Sequence, residues 1–112
     1  KAQNTDIQTI EGLSNCGVSD LQKSFLKHGA AQCGICTPGL LISATALLQK
    51  NSKPSKTEVE EALSGVLCRC TGYQKIFEAV EIARDVINNK INISEKFFLF
   101  NNFKIFIWNN FI

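Results

Sequence analysis

This sequence is poor in the side chains from which catalytic sites are usually assembled. Its 112 residues include one histidine, one tyrosine, one tryptophan, two prolines and no methionine. Nothing in it supplies an evident general base or nucleophile, so substrate chemistry by the chain alone is not expected. Strong charge of either sign is missing too: twelve Lys and Arg against ten Asp and Glu leave a formal net charge of +2. That is too weak a field to argue for a nucleic-acid or membrane-surface partner, and no basic stripe interleaved with aromatics occurs. Residues Lys1 to Ile10 carry no charged-then-apolar leader, and Lys1 is not methionine, so the sequence is expected to begin inside a longer one. The length allows one domain with a modest core.

Cysteine, by contrast, is plentiful: five in a short chain. Four of them form two tight groups, Cys33-Gly34-Ile35-Cys36 and Cys68-Arg69-Cys70. An odd total, close pairing and the absence of an export signal favour metal binding in a reducing compartment over disulfides, so a cytoplasmic location is expected. Cys16 has no partner at ligand spacing and reads as a small, partly buried thiol.

The rest of the chain has helical spacing. Asp6 to Leu13 is a β-prone run broken at Gly12, either one edge strand or the end of a preceding domain. Ser19 with Gln22 is a capping-box pattern opening a first helix, with Leu21, Phe25 and Leu26 apolar, Gly29 as its stop and His28 a dipole-favoured surface residue. Thr37 as N-cap and Pro38 at the first position open a second helix to about Gln49, with Leu40, Leu41, Ala44, Leu47 and Leu48 on one face. Asn51 to Pro54 is a linker. Ser55 with Glu58 opens a third helix, with Val59, Ala62 and Leu63 inward and a stop near Gly65. Thr71 with Gln74 is a third capping-box pattern, opening a fourth helix through Ile76, Ala79, Val80, Ala83, Val86 and Ile87 to about Asn89. The expected fold class is all-α: a four-helix bundle with pseudo-twofold symmetry and both cysteine loops at one end.

From Ile91 the composition changes. Residues 91–112 hold six of the eight phenylalanines and the only tryptophan. Asn101, Asn102 and Lys104 interrupt the run, so no membrane span is expected. An exposed run of this kind is an aggregation hazard, and 91–112 reads as a non-native extension or a poorly ordered tail, with docking on a partner as the lesser alternative.

Two close thiol pairs can hold one metal centre. An ordinary 2Fe-2S cluster takes four cysteines, whereas the Rieske type needs two histidines and is excluded by the single His28. A two-residue spacer lets both thiolates of a turn point at the same metal. Helices starting just after Cys36 and Cys70 would turn positive dipole ends toward a cluster of formal charge about −2. Gly34, Gly39 and Gly72 would permit close backbone approach. Arg69 either offsets cluster charge or lies in solvent. A zinc-stabilised interaction module using the same four cysteines is the alternative on spacing alone. A Cys33–Cys36 thiol–disulfide site fits less well, since no βαβ pattern surrounds it. An apo remnant that binds no metal is a further reading.

At Gln32-Cys33-Gly34-Ile35-Cys36-Thr37-Pro38-Gly39 and Leu67-Cys68-Arg69-Cys70-Thr71-Gly72-Tyr73 the chain resembles the C-terminal helical 2Fe-2S domain of the molybdenum hydroxylases. These include xanthine dehydrogenase, aldehyde oxidase and the small subunit of aerobic carbon monoxide dehydrogenase. Thr9 to Leu13 also resembles the segment joining that family's two small-subunit domains, and the similarity covers Asp6 to Asn89. The resemblance implies electron transfer through a single 2Fe-2S cluster by the iron–sulfur small subunit, or a fragment of it, of an oxidoreductase complex. Cys33, Cys36, Cys68 and Cys70 match the metal ligands. Gln32 and the backbone at Cys70 match positions against the pterin. Electrons would pass from molybdopterin cofactor in a large subunit, through this cluster, to a second one, and on to FAD in a flavin-binding medium subunit.

The domain boundaries expected on this basis are 1–13, a remnant of the ferredoxin-like domain or linker; 14–90, the helical cluster-binding domain; and 91–112, the tail. Three departures stand out. No ferredoxin-like half with its own cysteines is present, Val66 replaces the family's usual asparagine, and the tail has no counterpart.

Overall fold

In a computed structural model the chain is described over residues 1–14, 17 and 19–91. Cys16 and the tail beyond Ile91, about which the sequence raised expectations, lie outside the described residues. Four α-helices account for the regular structure among the described residues: α1 (Asp20–Lys27), α2 (Thr37–Lys50), α3 (Lys56–Leu63) and α4, over residues 74–91. The all-α expectation holds. The β-prone stretch before Leu13 does not form a strand; it runs irregularly into a short 3-10 turn at Gly12–Ser14. A strand needs a neighbour to satisfy its backbone groups, and this segment closes its own turn instead, with Gly12 N–H donating to Thr9 C=O at 3.1 Å.

Two of the helix starts follow the sequence closely. Ser19 and Gln22 form a full capping box at α1, as Ser55 and Glu58 do at α3. In each, the serine hydroxyl accepts from the third-position N–H while the longer side chain accepts from the cap N–H, satisfying two orphan donors. Ser19→Ala and Ser55→Ala are each expected to cost about 1 kcal/mol, read as a lower thermal midpoint. At the far end of α1, Gly29 at φ 65° turns the chain so that Ala30 N–H donates to Phe25 C=O at 2.9 Å. Both residues are then buried, which is the apolar contact that accompanies this type of stop.

The other two starts differ from expectation. The N-cap of α2 is Cys36, not Thr37, and no side chain caps it. Thr37 is already the first helical residue, and its hydroxyl is buried without a partner. The Thr71–Gln74 pattern makes no capping box either. Tyr73, at φ 68°, precedes α4 and its C=O accepts from Phe77 N–H at 3.0 Å. The left-handed turn through Gly72 and Tyr73 diverts the Thr71 side chain to other work.

The helices share one core of Leu21, Phe25, Ala30, Leu40, Leu41, Ala44, Val59, Leu63, Ile76, Ala79, Val80 and Ala83. Leu26, grouped with Leu21 and Phe25 by spacing, points outward and is 74% exposed. Polar contacts fasten the helices over long sequence separations. The buried Ser24 hydroxyl donates to Ala79 C=O at 2.6 Å, tying α1 to α4. Arg84 donates to Pro54 C=O and Asn88 to Ser52 C=O, each at 2.8 Å, holding the α2–α3 linker against α4. His28 caps α1 half-buried, its Nδ1 2.9 Å from Ser24 C=O. This packing leaves the loops before α2 and α4 free to carry the cysteines.

Candidate metal centre

The two cysteine loops are pressed together by a small residue. A Cβ built on Gly39, in the first turn of α2, would lie 3.2 Å from Val66 Cγ1. Glycine therefore lets the start of α2 approach the segment that leads into Cys68. Spacing assigned Gly39 to an approach toward the cluster, whereas the structure uses it to seat Val66.

Tyr73 shapes the second loop. Its hydroxyl accepts from Cys68 N–H at 2.7 Å and donates to Val66 C=O at 3.1 Å. Its ring stacks on Phe77 with centroids 5.9 Å apart. Thr71 Oγ1 accepts from Tyr73 N–H at 3.2 Å and lies 3.1 Å from Cys68 Sγ. Sequence reasoning missed both roles. The only signal was the composition of the Thr71-Gly72-Tyr73 turn, which periodicity treated as a helix start.

The four grouped cysteines form no disulfide, with Cys33 and Cys70 exposed and Cys36 and Cys68 half-buried. The Cys33 thiol interacts with that of Cys70, and the Cys36 thiol with that of Cys68. Charge on Cys68 is felt at both Cys33 and Cys70, so the four stand at one site. Spacing placed both sulfurs of one turn on one metal; the structure couples each thiol to one from the other loop. Cys16, the fifth, is outside the described residues.

The couples are electrostatically unequal. The backbone N–H of Ile35, and then Cys70, hold the Cys33 thiol below its ordinary value. Cys70 is raised, chiefly by its bond to Cys33. The Thr71 hydroxyl and backbone hold Cys68 down to about 7, while burial pushes Cys36 up to about 11. Each couple thus joins one thiol held below its ordinary value to one held above it. Metal binding would expel the protons of whichever thiols still carry them, since the thiolate is the ligand.

Two couples of thiols, with no histidine, fit the donor set of a two-iron cluster. The start of α2 fits it as well. Its first N–H groups have no side-chain cap, and the Thr37 hydroxyl beside Cys36 is an orphan. Such a terminus favours an anion. Gln32 is exposed next to Cys33, as is Arg69 between the second pair, in solvent as one of its two sequence readings had it. Ile35 and Leu67, one in each loop, are 86% and 87% exposed.

A family model described as a 2Fe-2S binding domain matches residues 9–81. The nicotine 6-hydroxylase small subunit of Paenarthrobacter nicotinovorans is 58% identical over 84 residues, 75% of this chain and 51% of that protein. The xanthine dehydrogenase iron-sulfur-binding subunit of Escherichia coli O157:H7 is 48% identical over 82 residues, 70% of this chain and 52% of its own length. Among solved structures, quinoline 2-oxidoreductase from Pseudomonas putida 86 superposes with a TM-score of 0.70 at 43% identity, covering 79% of this chain and 56% of the matched one. The chain spans about half the length of the curated relatives it matches (51% and 54% for two of them).

Proposed function

Because the chain belongs to the 2Fe-2S binding domain family, we propose that Cys33, Cys36, Cys68 and Cys70 hold one such cluster. We further propose that the chain relays electrons as the iron–sulfur subunit, or part of one, of a molybdopterin-dependent hydroxylase or dehydrogenase. The observation that carries this reading is the convergence of four thiols, in two cross-loop couples, at loops leading into two helices. When bound, the cluster takes up and gives back one electron at a time. The chain supplies four sulfur ligands, an uncapped helix start beside Cys36, and a second loop braced by Tyr73.

The names of the relatives, small and iron–sulfur subunits of hydroxylases and dehydrogenases, support a place in a larger complex. On this reading a molybdopterin-binding large subunit covers the exposed loop end, with Gln32 and the Cys70 backbone toward the pterin. Electrons leave for a second cluster and FAD in a flavin-binding subunit. Residues 1–13 are read as a linker or remnant of a preceding domain, 14–90 as the cluster domain, and 91–112 as an extension outside it. Among the described residues no helix is long and apolar enough to cross a membrane; the reducing cytoplasm is the compartment that suits four free thiols.

Visible absorption tests the reading. The purified chain, reconstituted with iron and sulfide under reducing conditions, is expected to be red-brown and to become paramagnetic on one-electron reduction. A colourless protein that takes up zinc in preference to iron would overturn it in favour of the zinc module.

A further inference from the structure

The turn between Cys68 and α4 places a hydroxyl against a candidate ligand sulfur. Thr71 Oγ1 lies 3.1 Å from Cys68 Sγ and accepts from Tyr73 N–H at 3.2 Å. A hydroxyl has a single proton and two lone pairs. Tyr73 N–H occupies one lone pair. A metal-bound Cys68 is a thiolate with nothing to donate, so the remaining contact must run from the Thr71 hydroxyl to sulfur.

The neighbouring residue keeps that geometry in place. Tyr73 is held at φ 68°, with its ring stacked on Phe77 and its hydroxyl bonded to both Cys68 N–H and Val66 C=O. The Tyr73 N–H is thereby aimed at Thr71. Thr71 is itself half-buried, so water competes for its proton only in part.

We propose that Thr71 is a positioning residue that sets the reduction potential of the centre, by donating its hydroxyl hydrogen bond to the sulfur of Cys68. The proposal rests on the assignment of a 2Fe-2S cluster to the four cysteines. A donor at a ligating sulfur stabilises the reduced state more than the oxidised one, because reduction adds one negative charge that the sulfur shares. The potential is therefore higher with the bond than without it.

Thr71→Val removes the hydroxyl and keeps the branched shape; Thr71→Ser keeps the hydroxyl. In the full 112-residue chain, loaded with cluster, the midpoint is measured by redox titration followed by electron paramagnetic resonance. Thr71→Val is expected to lower the reduction equilibrium constant about tenfold, a shift of about 59 mV to more negative potential for one electron, on the scale of one hydrogen bond to a charged group. Thr71→Ser is expected to stay close to the parent. Equal midpoints for Thr71 and Thr71→Val, or a Thr71→Ser value that follows valine, would overturn the proposal.

If Thr71→Val fails to hold a cluster, the parent protein decides. Its iron–cysteine stretching band, by resonance Raman, should move within seconds of transfer to heavy water, because a hydroxyl proton exchanges faster than protected amides. No rapid shift would count against Thr71. A parent protein that holds no cluster at all defeats the functional reading itself. A coloured parent with unchanged midpoints defeats only this inference.

Discussion

Replacing Cys68 with serine is expected to abolish the visible absorption of the loaded protein, with iron and sulfide content falling toward zero. Cys68 interacts with Cys36 across the loops, and Thr71 holds its thiol down to about 7, so it is already partly ionised at neutral pH. A serine hydroxyl at the same place is far less acidic, and leaves Cys36, raised to about 11 by burial, without its thiol partner. Cys70→Ser should act alike through its contact with Cys33. Cys16→Ser should leave the spectrum unchanged, because that cysteine has no partner at ligand spacing. Loss of the spectrum on changing Cys16, with Cys68→Ser and Cys70→Ser unaffected, would mean that the ligands have been misassigned.

Phe25→Ala is expected to cost about 3–5 kcal/mol, against less than about 0.5 kcal/mol for Leu26→Ala beside it. Phe25 is 2% exposed and packs in the shared core, while Leu26 is 74% exposed. Natural domains have only about 5–15 kcal/mol to lose, and a small one sits toward the lower end. The cluster-free Phe25→Ala chain should therefore be largely unfolded by helical circular dichroism at ambient temperature. A bound cluster stabilises the folded state only, so loading should recover part of the signal. Denaturant titrations of both variants check this; equal losses at the two positions would show that the core is not the one described.

Much of the scaffold could be read from local pattern. Serine followed three residues later by glutamine or glutamate announced α1 and α3, because a capping box is made entirely of neighbours in the chain. The same rule failed at Thr71 and Gln74. There the hydroxyl serves Tyr73 N–H and Cys68 Sγ, and the backbone passes through two consecutive left-handed residues, Gly72 and Tyr73, before α4 begins. Thr37 failed as a cap for a related reason: Cys36 already holds the cap position, in a helical conformation. Local rules break down where the chain bends to present a cysteine.

Helical period, cap residues and the two cysteine spacings are properties of near neighbours, and they determined the all-α class, the helix positions and the four candidate ligands. Which sulfur faces which was decided only by packing. The Cys33–Cys70 and Cys36–Cys68 couples, the seat of Val66 on Gly39 and the bond from Ser24 to Ala79 all join segments far apart in the chain. No local periodicity encodes such pairs, because they exist only once the apolar faces of four helices have excluded water together.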